Sequence, residues 1–128
     1  MRNPITHTIR IIQANLRERS KSKERSPKWD ACRDAYLKKH PVCEACGSKK
    51  RLQVHHRKPF HLFPELELEE SNLVTLCMSY RDCHLEIGHG FRWPSFNPRL
   101  EEHLVRLHQD PKSRPLIEKE AKAAARQG

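Results

Sequence analysis

The apolar positions of this chain fall in short runs divided by prolines, glycines and charged stretches. The first clear period opens at Ser26-Pro27, a serine cap followed by proline at the first helical position, after which Trp29, Cys32 and Tyr36 share one stripe. That pattern predicts a helix to about Lys39, ending before Pro41. Leu52 to His56 reads as a short strand. Residues 57–71, with two prolines and an acidic run, read as a loop, and Asn72-Leu73-Val74-Thr75-Leu76 as a second strand closed by Cys77. From about Asp82 a short helix is expected to carry Cys83, His84 and Ile87 until Gly88 and Gly90 stop it. Asn97-Pro98 is another cap-plus-proline start, with Leu100, Leu104, Val105 and Leu107 partly on one face, and a last, polar helix extends through Ala121 to Ala125. Strand, strand, helix, with helices before and after, is a small α+β fold.

Composition limits that fold to one modest core. In 128 residues, 36% are hydrophobic, 32% are charged and nine are proline, a balance that suits a metal-braced domain with loose ends. The net charge of +9 favours polyanions, and it is unevenly placed. Residues 1–58 hold 16 Lys and Arg against 5 Asp and Glu, whereas residues 59–128 hold 9 against 11, so the partner-facing surface is expected in the first half. Residues 1–25 read as a basic arm. Excess Lys and Arg can also merely solvate a surface, so charge alone does not establish a nucleic-acid partner. No apolar run approaches the roughly 20 residues that span a bilayer, and no signal peptide is visible, so no membrane association and a cytoplasmic location are expected. In that reducing setting the five cysteines read as metal ligands plus a spare.

Four of the cysteines form two pairs, Cys43/Cys46 and Cys77/Cys83, about 30 residues apart. Four thiolates close a tetrahedral Zn²⁺ shell with no open position, which makes such a site structural. Gly47 after the first pair suits the tight turn of a zinc knuckle. Cys32, on its helix stripe, reads as a core residue instead. His55-His56 ends a strand, so the two imidazoles point to opposite faces and are free to take different tasks. His84 follows Cys83 directly and is carried toward the same strand. His7, His40, His103 and His108 read as ordinary surface or core histidines, and His61 as a solvated loop residue. Lys49, Lys50 and Arg51 precede the first strand and Arg57 and Lys58 follow it, bracketing the histidine pair with positive charge suited to positioning phosphates.

Together, Cys43-x2-Cys46, Leu52-x-Val54-His55-His56, Asn72-Leu73-Val74-Thr75-Leu76-Cys77 and Cys83-His84 resemble the HNH (ββα-metal) endonuclease motif over residues 43–89. The flanking Pro59-Phe60-His61-Leu62 and Gly88-His89, with Trp93 and Asn97-Pro98, resemble a bacterial and phage-borne subgroup of that family. The resemblance implies a zinc-braced ββα-metal domain over residues 26–98, with residues 99–128 as a C-terminal helical extension. It also implies that His55 and His84 hold a catalytic divalent ion (Mg²⁺, Mn²⁺ or similar) and that His56 is the general base. Asn72 would then orient the base's loop or assist the metal. Double-stranded DNA is the expected substrate, cut to leave a 5′-phosphate and a 3′-hydroxyl. Two positions depart from the family pattern. Its second knuckle is usually C-x-x-C followed by His, whereas Met78 to Asp82 separate Cys77 from Cys83. His89, a further candidate ligand, lies five residues beyond His84 where relatives place one three or four on. The rival reading is a zinc-braced nucleic-acid-binding module without hydrolysis. It shares every cysteine but has no need of the His55, His56 and His84 cluster. A structural or interaction domain built on the C-terminal helices is a third, less supported by fewer than three heptads.

Overall fold

The computed structural model describes residues 24–127, so nearly all of the expected basic arm lies outside the described residues. Helix α1 (Trp29–Lys39) is followed by strands β1 (Leu52–His56) and β2 (Leu73–Cys77), then by one turn of π-helix at His84–Gly88. After these come β3 (Ser95–Phe96), α2 (Leu100–Gln109), α3 (Arg114–Ala124) and β4 (Arg126–Gln127). This is the small α+β arrangement that the sequence predicts.

α1 starts slightly later than expected. The Ser26 hydroxyl accepts from the Lys28 N–H at 3.1 Å, and the Ser26 carbonyl from Trp29 at 3.0 Å, so Ser26 closes a lead-in turn rather than capping the helix, which begins at Trp29 with Lys28 at its N-cap position. Strand β2 also starts one residue later than expected. Asn72 ends a 3₁₀ turn, Glu70–Asn72, held by its N–H to the Glu69 carbonyl at 2.9 Å.

β1 and β2 form an antiparallel ribbon in which His55 pairs with Val74 and His56 with Leu73. Directly opposed residues share a face, so His55, Gln53, Val74 and Leu76 lie on one side, and His56, Val54, Leu73 and Thr75 on the other. Both sides are covered, and every residue of β2 is therefore buried. Trp29 and Tyr36 of α1 pack with Val54 and Leu73, and the Tyr36 hydroxyl donates to the Leu73 carbonyl at 3.0 Å. Against the other side lies a second cluster in which Val74, Leu76 and Ile87 meet Leu100, Leu104 and Leu107 of α2 and Ile117 of α3. The C-terminal helices thus share one core with the ribbon. β3 pairs with β4, which closes the far end. Among the described residues no helix is long and apolar enough to cross a membrane.

The predicted helix after Asp82 is real but wider than an α-helix. The Asp82 carboxylate caps it by accepting the Leu85 N–H at 3.0 Å, and the His89 N–H then bonds back to the His84 carbonyl at 3.0 Å, an i→i+5 link. Gly88 is what lets this turn sit on the ribbon. A Cβ there would lie 2.9 Å from Leu76 Cδ1 and 3.2 Å from the His55 ring, inside ordinary contact distance.

Candidate metal centres and base

The knuckle, the end of β2 and the start of the π-turn bring Cys43, Cys46, Cys77 and Cys83 together, with their sulfurs all within 4.8 Å of one another. Gly47 allows the tight turn, adopting φ +81° while its N–H closes onto the Cys43 carbonyl at 2.9 Å. Cys43, Cys77 and Cys83 are buried and Cys46 is exposed. The five residues Met78 to Asp82 loop out, with the Met78 N–H tied to the Arg51 carbonyl, and leave both flanking sulfurs in the cluster. Two sulfurs about 2.3 Å from one Zn²⁺ at a tetrahedral angle stand roughly 3.8 Å apart. Cys46 and Cys77 stand 3.6 Å apart, so the donor set fits that ion. A hydrogen bond with the Cys83 thiol pulls the Cys43 thiol down to about 4, and the same bond together with burial holds Cys83 up. Cys32 stays outside the cluster, half-buried against α1's core partners.

Three imidazoles converge on the Val74 and Leu76 side of the ribbon, where the π-turn packs. His55, His84 and His89 each offer a ring nitrogen, mutually within 4.8 Å, and their ring centroids are 4.8 to 5.0 Å apart. His89 Nδ1 lies 2.6 Å from the Ser95 carbonyl, which can only accept, so Nδ1 carries the proton and the neutral ring turns a bare Nε2 inward. That Nε2 is 3.3 Å from His84 Nε2. Two nitrogens about 2.1 Å from one ion stand roughly 3.0 to 3.4 Å apart, so this pair fits a shared metal. His55 Nε2 is buried without a hydrogen-bond partner, a costly state for a polar atom unless something binds it. Burial pushes all three histidines below the ordinary imidazole range, His84 to about 4, so their lone pairs are available at neutral pH.

His56 faces α1 instead. Its Nε2 lies 2.9 Å from the Glu67 carbonyl, which again fixes the proton on Nε2 and leaves Nδ1 bare, while the Trp29 ring packs 4.6 Å away. Burial, then the nearby Arg25 charge, lowers it to about 4. Asn72 lies off the histidine cluster and clamps the loop between the strands. Its Oδ1 accepts from Lys58 N at 2.9 Å, and its Nδ2 donates to the Lys58 and Leu66 carbonyls at 3.1 and 3.3 Å.

Of the expected phosphate-positioning cations, Lys49, Lys50, Arg51 and Lys58 are exposed. Arg57 is half-buried, with Nη1 2.5 Å from the Glu101 carboxylate but not aligned for a hydrogen bond. His103 is fully buried and satisfied. Its Nδ1 accepts from Asn97 at 2.9 Å and its Nε2 donates to Glu120 at 3.2 Å, while Arg99 and Arg106 also hold Glu120. That group is an ion-pair network rather than a metal site. Sequence reasoning missed the carbonyls of Glu67 and Ser95, which orient His56 and His89 and carry no side-chain signal. It also missed Arg114, whose Nη1 donates to Cys83 Sγ at 3.2 Å from 31 residues away.

Neither a curated protein nor a solved structure matches the chain. A family model described as HNH endonuclease does match, over residues 43–90, which contain all four clustered cysteines and the histidines at 55, 56, 84 and 89. Over that segment, a little over a third of its length, the chain is similar to the HNH endonuclease family.

Proposed function

We propose that this protein is a metal-dependent endonuclease hydrolysing phosphodiester bonds in DNA, braced by a structural Zn²⁺ on Cys43, Cys46, Cys77 and Cys83. The convergence of three neutral imidazoles, that of His55 with an unpartnered buried nitrogen, is the observation that carries this reading, because a binding module braced by zinc has no use for it. His55, His84 and His89 would hold a divalent ion such as Mg²⁺ or Mn²⁺, which when bound polarises the scissile phosphate and stabilises the departing oxyanion.

The chain's own residues supply the rest. His56, kept neutral by burial and held through Nε2 by the Glu67 carbonyl, takes a proton from water at Nδ1. Asn72 fixes the loop that brings that carbonyl to His56. Lys49, Lys50, Arg51, Arg57 and Lys58 position the backbone of double-stranded DNA, Arg57 exchanging its Glu101 contact for phosphate.

The test is supercoiled-plasmid nicking by zinc-loaded protein freed of other divalent ions, with Mg²⁺, Mn²⁺ or Ni²⁺ added in turn. Nicking by wild type, dependent on metal and lowered about 10²- to 10⁴-fold in His56→Ala, is the expected outcome. Plasmid binding without nicking by either protein favours the non-catalytic module.

A further inference from the structure

Arg114 is the only lysine or arginine that is buried among the described residues, and it lies in the first turn of α3, outside the segment that matches the family. Its guanidinium serves three acceptors, two along the π-turn and one on α3 itself. Nη1 donates to Cys83 Sγ at 3.2 Å, Nη2 to Glu86 Oε1 at 2.9 Å, and Nε to Glu118 Oε2 at 2.7 Å. Cys83 belongs to the four-sulfur cluster, whereas Glu86 sits within the π-turn, between His84 and His89. We propose that Arg114 is a positioning residue that couples the two metal centres, holding a cysteine sulfur of one and, through Glu86, the turn that presents the histidines of the other. The histidine half of this proposal rests on the reading of His55, His84 and His89 as metal ligands.

Charge supplies the first reason. Four thiolates around Zn²⁺ leave a net charge of −2 in a mostly buried place, and an adjacent guanidinium offsets it while donating to sulfur. Geometry supplies the second. A planar fork reaches three acceptors in fixed directions, which a lysine ammonium on a flexible stem does not reproduce. The platform is rigid as well, since Glu118 one helical turn on orients the fork and Ile117 and Ala121 are fully buried. The π-turn is thereby held along its length. It is anchored by Cys83 at its start and by Glu86 in its middle. At its end the Asn97 side chain donates to the Ile87 carbonyl at 3.0 Å, and the Asn97 N–H to that of Gly88 at 3.0 Å.

The experiment compares zinc-loaded wild type, Arg114→Lys, Glu86→Ala and Glu86→Gln. It measures zinc content by mass spectrometry, the rate of zinc loss to a chelator, and Ni²⁺ binding by calorimetry. Glu86→Ala is expected to keep its zinc yet bind Ni²⁺ about tenfold or more weakly, the usual scale for removing a group that orients a ligand. Glu86→Gln, whose amide oxygen still accepts from Arg114, is expected to recover most of that loss. Arg114→Lys should bind Ni²⁺ weakly and lose zinc about tenfold faster. Should Arg114→Lys fail to fold, Glu86→Ala carries the test, because its substitution lies at the half-buried edge of the site. Wild-type Ni²⁺ affinity in Glu86→Ala, or unchanged zinc loss in Arg114→Lys, overturns the coupling. A wild type that binds no Ni²⁺ overturns the histidine reading itself, and the coupling with it.

Discussion

His84 Nε2 and His89 Nε2 lie 3.3 Å apart because the backbone between them is a π-turn. In an α-helix, residues five apart are offset by about 140° and their side chains diverge. The i→i+5 link from His89 N–H to the His84 carbonyl widens the turn and stacks them. The spacing that departs from the family pattern in sequence is thus compatible with one shared ion in space.

His89→Ala is accordingly expected to weaken divalent-ion binding by at least about tenfold while the protein keeps its fold, because His89 is half-exposed and lies at the end of the turn. Calorimetry with Ni²⁺ measures it, with His61→Ala as the control in which binding is unchanged. Equal affinity in His89→Ala and wild type would remove His89 from the ligand set.

Gly88→Ala tests the close approach of the turn to the ribbon. The added methyl meets Leu76 Cδ1 at 2.9 Å and His55 at 3.2 Å, and overpacking of this kind costs roughly 1–3 kcal/mol. Since one neighbour is a core leucine and the other a proposed ligand, stability and Ni²⁺ affinity should fall together in urea melts and calorimetry. Loss of stability with intact Ni²⁺ affinity would mean that the His55 ring moves freely.

Local chemistry made much of this legible in advance. Ser26-Pro27 announces α1, alternation at His55-His56 assigns opposite faces, and the cysteine pairs announce the sulfur cluster despite the long second spacing. What was not legible depends on tertiary contact. The π-turn arises where Gly88 presses on Leu76 and Asn97 reaches back to Ile87 and Gly88, and no local periodicity encodes it. The groups that orient His56 and His89 are main-chain carbonyls, present at every residue and therefore silent in sequence. Arg114 reads as one more helix cation until the fold brings Cys83 beside it.

Buried His103 gives stability a definite pH dependence. Burial holds its imidazole below the ordinary value, so the folded protein resists a proton that the unfolded chain accepts near pH 6.5. Its contribution is therefore fully present above about pH 6.5 and is lost as pH falls below it. Thermal melts between pH 7.5 and 5.5 should show a shallower fall for His103→Gln than for wild type. Parallel curves would mean that protonated His103 is fully compensated by Glu120, 3.2 Å away.

Removing the proposed structural zinc should be more damaging than any of these changes. Zinc binding by such sites supplies about 10–16 kcal/mol at neutral pH, comparable with or larger than the roughly 5–15 kcal/mol that holds a whole domain together. Here the four sulfurs join the knuckle, the end of β2 and the start of the π-turn, and Cys43, Cys77 and Cys83 lie inside the larger hydrophobic cluster. Without the ion, thiols that share protons are left inside that core, and the segments they join lose their common anchor. Cys43→Ser is therefore expected to purify without zinc and to lose its cooperative thermal transition. Cys32→Ser, outside the cluster, should keep one zinc per chain and melt within a few degrees of wild type. Circular dichroism and zinc analysis on the two variants decide the matter: a cooperatively folded, zinc-free Cys43→Ser protein would show that packing of the ribbon against α2 and α3 suffices alone.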